Sequence, residues 1–342
     1  MAIPPLLIIS QNDVIGNSIA AFLHTPECRH HRENKMSDMA FHDGERKVQA
    51  LAGETAIANR NVAMLSDTVI GGARPFIAKQ SMAVLASTDA EGAMWASVVF
   101  GEPGFLHTHD GRSITIDVAR EDRDAADPIW HNMTAGADVG MLFIELSSRR
   151  RYRVNGTVLR IDARGAEVAI HEAYPNCPKY IQRRQLHQLE EPRRPAREVA
   201  EGTVLRGGVT DIVARADTLF VASRHAEAGA DASHRGGRPG FVKLVDERTL
   251  RIPDYPGNSM FNTLGNIEAD GRAGICILDF NGGQVLQLTG TAAVLTDQDD
   301  PRGETGGTRR FWEFTVNRWI LRALPCTMEW QYVDASPFNP VA

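Results

Sequence analysis

Ser233, His234 and Arg235 follow one another on a strand-forming stretch that runs into Gly236-Gly237. Arginine can grip a phosphate or carboxylate through two parallel N–H bonds, where lysine offers a point charge. Paired glycines let backbone come close to a bound group. Farther on, Asp254, Tyr255, Asn258 and Ser259 stand in a loop ahead of a helical turn whose free N–H groups can receive an anion. Lys179 is a further candidate cation, two residues beyond Cys177. A neighbouring lysine can activate a thiol, but Pro178 suits the first position of a helix capped by Asn176 or Cys177, and that structural reading is adopted. His234 and Tyr255 are the candidates for handling protons, and no other side chain stands out as a catalytic acid or base.

Other clusters lead away from chemistry. His107 and His109 share one face of a strand, but no Cys or further His completes a metal set, so they are read as hairpin surface and no metal site is expected. Arg149 to Arg153 reads as a solvated sheet edge, since alternate side chains of a strand face opposite ways. Neither a Gly-x-Ser-x-Gly elbow, nor a Gly-x-Gly-x-x-Gly turn, nor a phosphate loop occurs. The 342 residues carry 37 Lys+Arg against 43 Asp+Glu, a net charge of −6 with no basic block, which disfavours a nucleic-acid partner. The 4 cysteines are far apart and suggest a reducing compartment. With no apolar run near the roughly 20 residues of a membrane span, a cytoplasmic protein without a membrane partner is expected. Residues 1–40 lack periodicity and read as disordered or as an annotation extension upstream of Met36. Cys28, His30 and His31 there lack the ligand pair that zinc would need.

The elements that must position these residues come from an internal repeat. Residues 85–106 align without a gap with 221–242 at an offset of 136, pairing Ser87 with Ser223, Ser97 with Ser233, Gly101 with Gly237 and Phe105 with Phe241. Val139 to Leu146 parallels Ala273 to Phe280 at an offset of 134. Each copy reads as strand, turn, strand, hairpin, short helix and two further strands. In the first these are 82–87, 94–100, 106–117, the helix 128–135, 139–146 and 152–161. In the second they are 219–223, 231–235, 241–253, the helical turn 260–267, 273–280 and 285–295. An amphipathic helix is expected over 44–59 and a second over 167–189, with a Pro-rich, charged excursion over 190–206. The predicted organisation is mainly β (α+β): a first barrel over 41–166, a helical linker over 167–206 and a second barrel over 207–342. Trp312, Trp319 and Trp330 are assigned to core packing.

This order of elements, with the turn Ser87-Thr88-Asp89-Ala90-Glu91-Gly92 before Trp95-Ala96-Ser97, resembles the FMN-binding split β-barrel of the pyridoxamine 5'-phosphate oxidase superfamily, in its long two-barrel branch. The same resemblance is carried by His42-Asp43-Gly44-Glu45 with Gln49, Gly101-Glu102-Pro103-Gly104-Phe105, Arg149-Arg150-Arg151 leading to Asn155-Gly156, and Asn176 to Gln182. Ser233 to Gly237, Pro253 to Asn258 and Ser336-Pro337-Phe338-Asn339-Pro340 complete it, from about residue 40 to the end.

The resemblance implies tandem split barrels acting as a pseudo-dimer, or associating further as a homodimer. It implies FMN held by Lys179, Ser233, His234, Arg235, Gly236, Asp254, Tyr255, Asn258 and Ser259, with one site per chain. It further implies an oxidoreductase passing hydride or electrons from NAD(P)H or a small substrate to an acceptor. The alternative is a non-catalytic protein that binds or senses flavin, deazaflavin or haem. One departure stands out: the superfamily often has a basic residue two positions after the serine, and here Ser259 is followed by Met260-Phe261. Arg235 and Lys179 would then have to meet the phosphate.

Overall fold

A computed structural model describes residues 40–189 and 199–340. The readings made for residues 1–39, including Cys28, His30, His31 and the start at Met36, lie outside the described residues, as does 190–198 of the excursion. The first repeat folds as one antiparallel sheet. Its strands are β1 (Met82–Thr88), β2 (Met94–Phe100), β3 (Leu106–His107), β4 (Ser113–Ile116), β5 (Asp138–Glu145), β6 (Arg150–Ile161) and β7 (Ala166–Pro175), in the order β2-β1-β5-β6-β7-β4-β3. After β8 (Arg183–Leu189) and β9 (Ala200–Gly202), the second repeat supplies β10 (Thr218–His225), β11 (Gly229–Gly236), β12 (Lys243–Leu244), β13 (Thr249–Asp254), β14 (Arg272–Asp279), β15 (Gln284–Leu295) and β16 (Arg310–Ala323). Their order, β11-β10-β14-β15-β16-β13-β12, reproduces the first sheet strand for strand, with β9 added beside β16. The last strand, β17 (Met328–Asp334), pairs with β8. The tandem split-barrel fold expected from the repeat is the fold observed.

The strands nearest the molecular centre are apolar on both faces because two different cores claim them. Ala83 and Leu85 of β1 point into the first barrel. Met82, Val84 and Ala86 of the same strand point into a separate core between the barrels. In β10, Leu219 and Val221 fill the second barrel, whereas Phe220 and Ala222 face the seam. Strands buried on both faces read as continuous apolar runs, and this is why 82–87 and 219–223 show no alternation in sequence. Two equivalent glycines set how closely the barrels approach. A Cβ on Gly140 would lie 2.6 Å from the Ala232 backbone nitrogen, and one on Gly274 would lie 2.5 Å from the Met94 carbonyl oxygen.

The α-helices from Asp43 on are α1 (Asp43–Leu51), α2 (Thr55–Asn61), α3 (Arg74–Ala78), α4 (Ile129–Asn132), α5 (Gly208–Arg215) and α6 (Asn262–Ala269). The helix expected over 44–59 is broken at Gly53, whose φ of 69° ends α1 and starts α2 anew. The helical linker expected over 167–206 is corrected outright. Ala166, Val168 and Ile170 alternate with less buried neighbours, a period of two, so 166–175 is strand β7 and completes the first sheet beyond the expected boundary at 166. Pro178 starts no helix; Asn176 to Gln182 is a loop between β7 and β8. Of the late tryptophans, Trp312 lies in the second barrel core and Trp319 packs against it, while Trp330 meets Phe280 edge-on at 5.5 Å.

Candidate functional site

At one end of the seam, β6, β11, the 176–180 loop, the loop after β13 and the start of α6 enclose a cavity of about 100 Å³. Every residue singled out from sequence lines it: Lys179, Ser233, His234, Arg235, Gly236, Asp254, Tyr255, Asn258 and Ser259. So do Arg151 and Arg153, which the sequence reading placed on a solvated edge. That reading fails because β6 is paired on both sides, by β5 and β7, and is an interior strand. Taking β7 for a helix had hidden this. Arg153 is 4% exposed and stacks its guanidinium on Tyr174 while donating to the Tyr174 hydroxyl at 2.8 Å.

Four cations, Arg151, Arg153, Lys179 and Arg235, face this cavity beside a single carboxylate, Asp254. Asp254 already accepts from Arg310 Nε at 3.1 Å, and Arg235 Nη1 stands 3.7 Å from its other oxygen. Asp254 therefore positions Arg235. Arg235 Nε is buried without a hydrogen-bond partner. Burial lowers the Arg235 pKa, and burial pushes Arg151 down to about 10, which leaves Arg151 charged at neutral pH. For Arg153, burial opposes the charge, but Asp231, Tyr174 and Glu172 together more than offset it and raise the pKa.

His234 behaves differently. Burial, and then the cations Arg151, Arg235 and Arg184, hold its pKa well below the usual imidazole range, so the ring is neutral. Arg151 Nη1 sits 3.3 Å from Nδ1; since guanidinium can only donate, Nδ1 accepts and Nε2 carries the proton. That Nε2–H is buried and unpartnered, a donor awaiting an acceptor. Burial also raises Tyr255, and raises Tyr180 to about 12, so both stay phenols. Their rings meet at 4.8 Å.

The loops that hold these groups are strained. Tyr180, Ser259 and Phe261 have φ of 67°, 62° and 62°, an unusual conformation for side chains of this size, and all three line the cavity. Phe261 caps α6 and lies 4.9 Å beneath the Arg310 guanidinium, so the position where the superfamily often has a basic residue is apolar here. The C-terminal segment secures the 176–182 loop: Ser336 Oγ accepts from the Tyr180 N–H at 3.0 Å, and Gln182 Oε1 accepts from the Ser336 N–H at 2.7 Å. Gly236 serves this packing as well, because the space above its Cα is taken by the Tyr180 carbonyl oxygen, 2.1 Å from where a Cβ would sit.

The family model for pyridoxamine 5'-phosphate oxidase matches this chain twice, over residues 72–210 and 205–323, one match per barrel. The chain belongs to the pyridoxamine 5'-phosphate oxidase family. No curated protein matches the sequence. Group A Streptococcus HupZ is similar in structure at 19% identity, covering 32% of this chain and 86% of its own with a TM-score of 0.27. A putative pyridoxamine 5'-phosphate oxidase from Lactobacillus delbrueckii is 13% identical, covering 34% and 94% with a TM-score of 0.28. A pyridoxamine 5'-phosphate oxidase-related, FMN-binding protein from Nostoc punctiforme is 12% identical, covering 38% and 96% with a TM-score of 0.23.

Because this family member carries both barrels in one chain, the seam has a second end on equivalent strand positions, and that end is closed. Ser97 stands where Ser233 stands, at the offset of 136, and each bonds a side chain near the start of the following helix, Asp127 in the first copy and Thr263 in the second. Gln287 and Val285 take the stations of Arg153 and Arg151, as the pairing of β14 with β15 and of β5 with β6 shows. Ser97 Oγ donates to Asp127 at 2.5 Å, and Gln287 Nε2 donates to Ser97 Oγ at 2.9 Å. Arg322 from β16, 2% exposed, donates to Gln287 Oε1 at 3.1 Å and pairs with both Asp124 and Asp127. At this end the polar groups of the first copy satisfy one another around Arg322.

Proposed function

We propose that the chain binds one FMN, with the phosphate in the basic cavity, and works as a flavin-dependent oxidoreductase. The observation that carries this reading is that four cations line the cavity beside a single lining carboxylate, Asp254, which is already partnered, with the Nε atoms of Arg235 and Arg153 buried and lacking acceptors. A dianionic phosphate supplies the missing acceptors and the missing charge. Family membership adds support. The enclosed volume of about 100 Å³ suits a phosphate and is below the roughly 300 Å³ of a whole-cofactor pocket, so the ring system would lie outside the enclosed part.

In this reading Arg235 and Arg151 bind the phosphate, with Arg153 and Lys179 adding charge and Asp254 holding Arg235 in place. Ser233, fixed by a 2.8 Å bond from Thr263 Oγ1, and Asn258 offer neutral polar contacts. His234 gives its Nε2 proton as a hydrogen-bond donor in the neutral state, and Tyr255 gives its phenol; neither holds a charge to transfer. Bound flavin supplies the redox chemistry, taking hydride or electrons from NAD(P)H or a small substrate and passing them to an acceptor.

The test is an absorption spectrum of the protein as purified, followed by release and chromatography of what it holds, and titration with FMN and riboflavin. FMN is expected to bind far more tightly than riboflavin, and Arg235→Ala to shrink that preference by about tenfold or more. Colourless protein that takes up no FMN overturns the reading. Reduction of bound flavin by NADH or NADPH tests turnover separately.

A further inference from the structure

A second, larger cavity of about 560 Å³ lies beyond Arg153, within the range of small-molecule sites. It is built around the His42-Asp43-Gly44-Glu45 motif. Gly44 seats α1 against α6, where a Cβ would meet the Gly265 carbonyl oxygen at 2.2 Å. His42 caps the helix, its Nδ1 accepting from the Glu45 N–H at 3.4 Å, while Glu45 accepts from the His42 N–H at 2.9 Å and from Asn262 Nδ2 at 2.5 Å. Across the cavity, Asn155 Nδ2 donates to Glu172 at 3.1 Å and to Asp231 at 2.6 Å.

Charge and hydrogen bonding are both incomplete here. Asp231 pairs with the buried guanidinium of Arg153 at 3.2 Å, and Glu45 and Glu172 stand beside it with Arg46 on the exposed rim. Burial and the neighbouring carboxylates push Glu45 up to about 8 and Glu172 up to about 7. Among the described residues, Asn155, 7% exposed, has no hydrogen-bond partner for Oδ1, and His42 Nε2, on a side chain 10% exposed, makes no hydrogen bond and lies 3.5 Å from Glu45 Oε2.

His42, Asp43 and His225 gather closely enough to suggest a metal ion, but the imidazoles are poorly set for one. His225 Nδ1 accepts from the N–H groups of Glu227 and Ala228 at 3.2 and 3.3 Å, as His42 Nδ1 does from Glu45, so both Nε2 atoms carry protons. The rings are stacked 4.0 Å apart at 14°, so their in-plane lone pairs do not converge on one ion.

We infer that this cavity is a second ligand site, for a small organic cation that bears an ammonium group and, beside it, a hydroxyl or carbonyl oxygen. The ammonium would donate to Asn155 Oδ1, Glu172 and Asp231, and the oxygen would accept from His42 Nε2–H. The site is separate from the basic cavity, although Asn262 lines both, and its occupancy requires no flavin.

Calorimetry and thermal melting of the full chain test it with ethanolamine, ethylamine, tetramethylammonium, acetate and zinc chloride. Ethanolamine is expected to bind saturably and raise Tm, ethylamine to bind more weakly, and tetramethylammonium, which has charge but no N–H, to fail. Glu172→Gln keeps an acceptor for Asn155, so it should stay folded and lose about tenfold in ethanolamine affinity. His42→Gln should narrow the gap between ethanolamine and ethylamine. The inference is overturned if no amine binds saturably or if acetate binds as well as ethanolamine. Zinc binding that His42→Gln abolishes, without amine binding, would make this a metal site instead.

Discussion

The two ends of the inter-barrel seam use the same strand stations for opposite purposes. At the closed end a guanidinium, two carboxylates, a carboxamide and a serine satisfy one another around Arg322. At the open end two guanidiniums sit one strand over, on β6, and a third, Arg235, on β11, and the Nε atoms of Arg153 and Arg235 lack acceptors. Of the two equivalent junctions, one is completed by protein groups and the other keeps buried donors without acceptors. A self-satisfied network supports the fold, whereas an unsatisfied one is a reason to look for a binding partner.

Breaking the closed end should have the largest effect. Arg322→Ala leaves Asp124 and Asp127 buried without their cation, and removing one partner of such a set costs about 3–5 kcal/mol. Urea unfolding should show the loss directly, with flavin content per folded molecule unchanged. If stability falls by less than about 1 kcal/mol, the Arg322 network is not what holds that end shut.

The next effect comes from the acidic flank of the open end and appears as a pH dependence. Glu45 and Glu172 have pKa values raised from about 4.5 to about 8 and about 7, so between those limits the folded state binds more protons than the unfolded chain. Stability therefore falls as pH rises from about 5 to about 8, by a few kcal/mol. Glu45→Gln should flatten that fall in urea titrations across the same range. A slope of the opposite sign in the wild type would show that these carboxyls already meet a cation.

The fold was legible because its evidence is redundant. The gapless repeat, the turn residues between the strands and the two-sided apolar runs at 82–87 and 219–223 all pointed to paired barrels. The misreading of 167–189 had a local cause: Ala166, Val168 and Ile170 alternate, but the charged residues interleaved with them also suit an amphipathic helix, and only pairing with β4 and β6 decides between the two. That one error hid the neighbour of β6 and with it Arg151 and Arg153. The second-copy residues were legible because polarity breaks the repeat there, with His234 and Arg235 standing where the first copy has Val98 and Val99. That Asp254 bonds Arg310 and stands 3.7 Å from Arg235 depends on distances that sequence does not contain.

The smallest perturbation is also the sharpest test of the comparison. Arg151→Val gives the open end the residue found at that station in the closed end. Arg151 has no carboxylate partner; it donates to the Cys177 carbonyl at 2.6 Å and to the His234 carbonyl and ring at 3.3 Å, so its removal leaves no buried charge unpaired. Stability should change by less than about 1 kcal/mol, while FMN affinity falls by about tenfold because one phosphate donor is gone. The His234 pKa, lowered first by burial and next by Arg151, should rise only in part, which an NMR titration of the imidazole would resolve. A loss of FMN affinity equalled by the loss for riboflavin would mean that Arg151 shapes the cavity without binding phosphate, and that the open end differs from the closed one in packing more than in charge.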